Sequence, residues 1–303
     1  MELTVNLAGT DIGLNFLGDA KKAMSLCNQY FQGFLYPDRR ADAEVEVSIL
    51  KQANGRFPFQ ENVKVKIFQQ LLPTQDVAKW LRKSPEYTED FPINEKTISS
   101  FCQGGLLLFN PNTARGRIYL LEQGARRFQA LYRLVWMYFA QVLGERGGCF
   151  VHSAAVVKDE EGYLFMGDSG SGKSTLVKFC PECSVLSDDS PILFEESGEY
   201  RIYPSPYHQM DPVGGLDKEV IHMSARVKGV YFLIKDDRVF LEVISRKAAL
   251  SMILKRYIHF FAYLSAQAKI ALFDLFLDAC YKLDLWYLHF APDADTWKVI
   301  TRK

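Results

Sequence analysis

The chain has 303 residues, enough for one large domain or two of ordinary size, with a substantial buried core. Its 36 basic residues are balanced by 36 acidic ones, so it lacks the basic excess of a dedicated nucleic-acid binder. Its most apolar stretches are interrupted by Arg133 in one case and by Lys269 and Asp274 in another, which argues against a membrane-spanning helix.

Met1-Glu2-Leu3-Thr4 does not read as the start of a secretory signal, so the expected location is the cytoplasm. Most of the six cysteines, Cys27, Cys102, Cys149, Cys180, Cys183 and Cys280, lie in apolar segments. That setting suits reduced thiols better than a disulfide framework.

In chain order, Leu3, Val5 and Leu7 and then Ile12, Leu14 and Phe16 alternate with polar residues around Gly9-Thr10-Asp11, predicting a β-hairpin. Asp19 is placed to cap a helix carrying Ala20, Ala23, Met24, Cys27 and Tyr30. Val45 to Ile49 predicts a strand, and Val63 to Ile67 another after the Asn54-Gly55 turn. Trp80 and Leu81 suggest a short helix among Pro73, Pro85 and Pro92. Ile98 to Phe109 and Gly116 to Leu121 read as two strands joined by Asn110-Pro111-Asn112. Phe128 to Leu143 reads as a buried helix, whose aromatics suit core packing better than a ligand surface. No residue spacing in this half suggests a catalytic site. Residues 1–145 therefore read as an α+β domain, and the glycine-rich Gly144 to Gly148 as the boundary with a second domain, 146–303.

The second domain carries the chemistry. Gly167-Asp168-Ser169-Gly170-Ser171-Gly172-Lys173-Ser174-Thr175 has the G-x-x-x-x-G-K-S pattern of a phosphate-binding loop. An apolar run, Tyr163 to Met166, precedes it as a strand should, and Thr175 to Phe179 suits the first turns of a helix. Glycines let the backbone turn its N–H groups inward onto phosphate oxygens, and a helix N-terminus adds partial positive charge. Lys173 is expected to reach the β- and γ-phosphates and the Ser174 hydroxyl to ligate Mg²⁺.

His152 is predicted to lie within a strand, Cys149 to Val157, that pairs with Tyr163 to Met166. A lone strand histidine is usually half-buried structure. Val185-Leu186-Ser187 ends in Asp188-Asp189, with Asp188 15 residues after Lys173. A strand beside the phosphate loop would bring one carboxylate to the metal and leave the other to take a proton from an attacking hydroxyl. Cys180-Pro181-Glu182-Cys183 is a single C-x-x-C without a second pair of zinc ligands, and reads as a structural turn. His208 and Arg226 are further candidates around a proline-punctuated loop, equally readable as surface residues. Strands are expected at Gly229 to Ile234, Val239 to Ile244 and Leu285 to Phe290, and helices at Arg246 to Tyr257 and Leu264 to Tyr281. Asp293-Ala294-Asp295 fails as a calcium loop, because Lys298 stands where the loop's glycine should be.

With His152 placed 15 residues before Gly167, the loop Gly-Asp-Ser-Gly-Ser-Gly-Lys-Ser, and Asp188-Asp189 closing the next strand, residues 149–190 resemble the HPr kinase/phosphorylase family. More broadly they resemble the fold group it shares with phosphoenolpyruvate carboxykinase. The resemblance implies an α/β P-loop domain with a mixed sheet. It implies an ATP- and Mg²⁺-dependent phosphotransferase acting on a serine-type hydroxyl of a peptide, protein or small molecule. Lys173, Ser174 and the loop around them would hold phosphate and Mg²⁺, Asp188 and Asp189 would share the base and metal roles, with Asp189 beside Ser174 at the metal, and His152 would sit near the transferring phosphate.

Thr175 stands where HPr kinases usually carry glutamate, the spacing from Lys173 to Asp188 is slightly short, and no later signature segment is recognisable. The layout is closer to divergent HPr kinase-like proteins, some of which phosphorylate precursor peptides beside peptide-modification systems. The partners implied are a nucleotide and the hydroxyl acceptor, without nucleic acid or membrane; a homo-oligomer is left open. A nucleotide-binding regulator or scaffold without efficient turnover is the alternative.

Overall fold

In a computed structural model the chain forms two compact units, Met1–Glu145 with Ala262–Ser265, and Arg146–Phe261 with Ala266–Lys303. The structure describes residues 1–18, 20–50, 69–83, 91, 93–102, 104–122, 127–180, 182–207, 218–291 and 295–301. Asp19, the Val63 to Ile67 run, Asn54-Gly55, Pro85, Pro92, Pro181, His208 and Asp293-Ala294 lie outside the described residues.

In the first unit, β1 (Glu2–Leu7) and β2 (Thr10–Phe16) form the expected hairpin, with the turn at Ala8-Gly9 and Leu7 already opposite Thr10. Helix α1 (Lys21–Tyr30) buries Ala23 and Cys27. Next come β3 (Ala43–Leu50), β4 (Gln69–Leu72), α2 (Thr74–Leu81), β5 (Ile98–Cys102), β6 (Gly105–Asn110), β7 (Arg115–Leu121) and α3 (Arg127–Glu145). The run Ile98 to Phe109 is thus two antiparallel strands rather than one. Gly104, at φ +93°, takes the chain through the turn between them.

The seven strands are ordered β1-β2-β3-β7-β6-β5-β4, with β3 parallel to both β2 and β7. Every residue of β6 is buried because helices cover both faces of the sheet. Leu106 and Leu108 pack with Val77 and Leu81 of α2. Phe109 points to the other face and meets Tyr138 of α3, ring centroids 5.9 Å apart. The buried Arg117 is paired with Glu46, its cross-strand neighbour on β3.

The second unit contains β8 (Cys149–Phe150), β9 (Ser153–Lys158), β10 (Glu161–Met166), α4 (Lys173–Lys178), β11 (Ser184–Ser187), β12 (Ile192–Glu196), β13 (Glu199–Tyr203) and α5 (Lys218–Ile221). After them come β14 (Ala225–Lys235), β15 (Phe240–Val243), α6 (Arg246–Met252), α7 (Ala266–Lys282), β16 (Asp284–Phe290) and α8 (Asp295–Thr301). Its sheet is mixed. The order is β11-β9-β10-β14-β13-β12-β8, and β16 runs parallel to the second half of β14, with β15 outside it.

The core behind the sheet joins Phe165, Leu176, Tyr231, Leu288 and Phe290 to Trp297 of α8. The indole N–H of Trp297 donates to the Leu176 carbonyl at 3.1 Å, tying α8 to α4. Such a bond is the usual requirement for burying a tryptophan completely. Among the described residues no helix is long and apolar enough to cross a membrane.

Candidate functional site

Strand β10 runs into the glycine-rich loop. Gly167 is buried, Asp168, Ser169 and Gly170 are exposed, and Ser171 and Gly172 are half-buried. The Ser171 N–H donates to the Asp168 carbonyl at 3.0 Å, closing the turn. Two glycines are required by geometry. A Cβ on Gly167 would collide with Ser171. Gly172 has φ +101°, and a Cβ there would lie 2.8 Å from the Phe290 ring. Gly172 also caps α4, which is only six residues long. Ser174 is half-buried and Thr175 exposed. A cavity of about 680 Å³ opens over this loop, with Ser169, Gly170, Lys173, Ser174 and Thr175 on one side and Lys235, Asp236 and Asp237 on another.

Lys173 is 7% exposed. Its ammonium donates to the Gly167 carbonyl at 2.6 Å and lies 3.2 Å from His152 Nε2. Burial lowers the lysine's pKa, against the opposing pull of Asp189, Asp168 and Asp188. An ammonium has only donors, so His152 Nε2 accepts from it and the ring's proton sits on Nδ1. Burial first, and Lys173 second, push the His152 pKa below its ordinary value, in keeping with a neutral ring.

The position of His152 differs from the expected one. The run Cys149 to Val157 is not one strand: β8 pairs with β12, whereas β9 pairs with β10 and β11. Val151 and His152 form the bend between them, held by the Val151 N–H to the Pro191 carbonyl at 2.9 Å and the His152 N–H to the Tyr257 carbonyl at 2.7 Å. The bend releases the imidazole toward Lys173.

Asp188 and Asp189, 4% and 9% exposed, follow β11. That strand is separated from β10 by β9, so the carboxylates approach the site across an intervening strand rather than from a directly adjacent one. Asp189 Oδ1 lies 3.5 Å from His152 Nε2. Four residues without a sequence signal join the cluster. Ser190 and His259 flank Asp189. Tyr257 sits edge-on to His152, centroids 6.5 Å apart. Arg256 pairs with Asp168 of the loop at 3.3 Å. The last three stand on or just after a π-helical turn, Ile253–Tyr257, that ends the expected helix Arg246 to Tyr257. Their distance along the chain hides them, and the expected helix Arg246 to Tyr257 is the nearest sequence feature.

Other candidates fall elsewhere. Arg226 lies opposite Glu161, at the start of β10 and so at the far end from the loop, and is paired with Glu199 at 3.7 Å. Cys180 and Cys183, expected in a structural turn, stand with their Cα atoms 5.7 Å apart, within reach of a disulfide. The other four cysteines are buried.

The residues present fit a nucleotide phosphate with its cation. The loop keeps its tight turns because Gly167 and Gly172 lack side chains, which would collide with Ser171 and with Phe290. Among the described residues no group of three or more His, Cys, Asp or Glu could hold a metal alone. Mg²⁺ is commonly held by one or two carboxylates and substrate phosphates rather than by an all-protein cage.

No curated protein matches the chain. A family model described as SynChlorMet cassette protein ScmC matches residues 127–282, from α3 through α7 and including the whole cluster around Lys173. That is more than half of the 303 residues, and the chain belongs to the ScmC family.

Proposed function

We propose that the chain is an ATP- and Mg²⁺-dependent kinase with an HPr kinase-like P-loop domain, transferring the γ-phosphoryl group to a serine-type hydroxyl of a peptide, protein or small molecule. The reading rests on one observation: Gly167, Lys173, His152 and Asp189 stand in a continuous line of contacts of 2.6, 3.2 and 3.5 Å at the mouth of a glycine-rich loop.

In this reading the backbone of Gly167 to Thr175 cradles the phosphates and Lys173 neutralises their charge. Ser174 and Asp189 would hold Mg²⁺, which when bound draws charge from the phosphate oxygens. Asp188 and Asp189 divide the metal and base roles. The base takes the acceptor's proton as its oxygen bonds to the γ-phosphorus, and the bond from that phosphorus to the β–γ bridging oxygen breaks. His152, neutral, lies beside the transferring group, and Arg256 brings a second cation to the loop. Catalysis is then mostly positioning and charge neutralisation.

The matched family's description as a cassette protein makes the products of neighbouring genes the first acceptors to try. The test of the site is titration with a fluorescent ATP analogue. The parent is expected to bind in the presence of Mg²⁺, with Lys173→Ala weakened about tenfold or more, as for loss of a charge-assisted contact. Equal affinity in the two proteins would remove Lys173 from the site. Tight binding with no transfer to any acceptor would instead favour a nucleotide-binding regulator.

A further inference from the structure

The two oxygens of the Asp189 carboxylate have different surroundings. Oδ1 faces His152 and, beyond it, Lys173. Oδ2 is turned away and accepts from the Ser190 hydroxyl at 2.9 Å. That hydroxyl is also 3.1 Å from His259 Nε2.

Ser190 is fully buried and its backbone is fixed at both ends. Its N–H donates to Ser187 Oγ at 2.9 Å, and its carbonyl accepts from Ser205 Oγ at 2.6 Å. The Asp189 carbonyl accepts from the Ser153 N–H at 3.0 Å, and the His259 N–H donates to the Phe150 carbonyl at 3.1 Å. Few hydrogen bonds are needed merely to bury a serine. Here a serine hydroxyl, a histidine ring and four separate chain segments converge behind one carboxylate.

We infer that Ser190 and His259 are positioning residues: together they hold Asp189 by Oδ2 so that Oδ1 is presented to the lysine side of the site. The inference rests on the phosphoryl-transfer reading above. A carboxylate held at one oxygen cannot swing when charge arrives at the other. Groups that orient a ligand or base in this way are worth about 10–100-fold in affinity or activity. The Ser190 hydroxyl serves both neighbours because it donates one hydrogen bond and accepts others.

The experiment compares Ser190→Ala, Ser190→Thr, His259→Leu and His259→Gln with the parent in two assays. One is phosphate release from ATP, separated into kcat and KM. The other is affinity for a fluorescent ATP analogue with and without Mg²⁺. Ser190→Ala and His259→Leu are expected to lower kcat by about 10–100-fold and to lose the gain in nucleotide affinity that Mg²⁺ confers, with KM for ATP rising by the same factor as that gain. Ser190→Thr and His259→Gln, which keep a hydroxyl or a ring-like N–H in place, are expected to recover most of both. Mg²⁺-free affinity, equal to the parent's in every variant, reports that each has folded.

Parent-like kcat and Mg²⁺ gain in Ser190→Ala would overturn the inference. So would equal losses in the removing and the conservative variants. If the parent transfers no phosphoryl group from ATP to any acceptor, the kinase reading fails, and the positioning role is decided by the Mg²⁺ gain alone.

Discussion

Gly172 shows how much of the site depends on single residues. Its φ of +101° lies in a region that costs an L side chain about 1–2 kcal/mol, and the nearest ring carbon of Phe290 leaves no room for a methyl group. Gly172→Ala is therefore expected to lower stability by about 1–2 kcal/mol in chemical denaturation. It should also weaken nucleotide binding, because the loop's N–H groups would turn away from the phosphates. A variant as stable as the parent and binding as tightly would show that the loop adapts. The glycines and Lys173 were legible in the sequence because their chemistry is local: each constraint lies within the nine residues Gly167 to Thr175. Ser190 and His259 were not, because neither has a motif of its own. Their role comes only from meeting at Asp189, 69 residues apart along the chain.

At the scale of elements, local pattern failed where a continuous apolar run changes partner. Cys149 to Val157 reads as one strand because hydrogen-bond partners are not written in hydropathy. The break at Val151-His152 exists because β8 joins β12 while β9 joins β10. Gly104 likewise splits Ile98 to Phe109, and the hairpin β12–β13 escaped notice because its strands are five residues each around Ser197-Gly198.

Helix α7 is tied to that hairpin by a polar contact. The buried Tyr200 donates to Asp278 Oδ2 at 2.5 Å, and Lys282 holds the same carboxylate at 2.7 Å. Lys282 first, and Tyr200 second, keep the Asp278 pKa below the ordinary carboxylate value. The folded state therefore binds this proton less readily than the unfolded one. The contact's contribution is complete above the ordinary carboxylate pKa and is lost as pH falls through the lowered one. Tyr200→Phe is expected to lower stability at pH 7 and to lower it less at pH 3. Unfolding curves at the two pH values check this, and a cost that grows on acidification would reverse the assignment.

At the scale of the molecule, an α+β domain was read from the order of elements in the first half and an α/β domain was implied by the resemblance in the second, and the structure shows two units, each with its own mixed sheet. What the chain order did not disclose is that Ala262–Ser265 belongs to the first unit. Gln141 of α3 reaches it, donating to the Tyr263 carbonyl at 2.8 Å and accepting from the Ser265 N–H at 3.1 Å. A short segment returning to an earlier unit has no signature in periodicity or composition. The second unit gathers every residue of the proposed site, drawn from the β8–β9 bend, the glycine-rich loop, the end of β11 and the turn after α6. The most direct measurement is label transfer from ATP to a panel of peptide, protein and small-molecule hydroxyl acceptors. The account predicts that the parent transfers label from the γ- but not the α-position, and that Lys173→Ala and Asp189→Asn transfer none above background. Transfer by Lys173→Ala at the parent rate would contradict it.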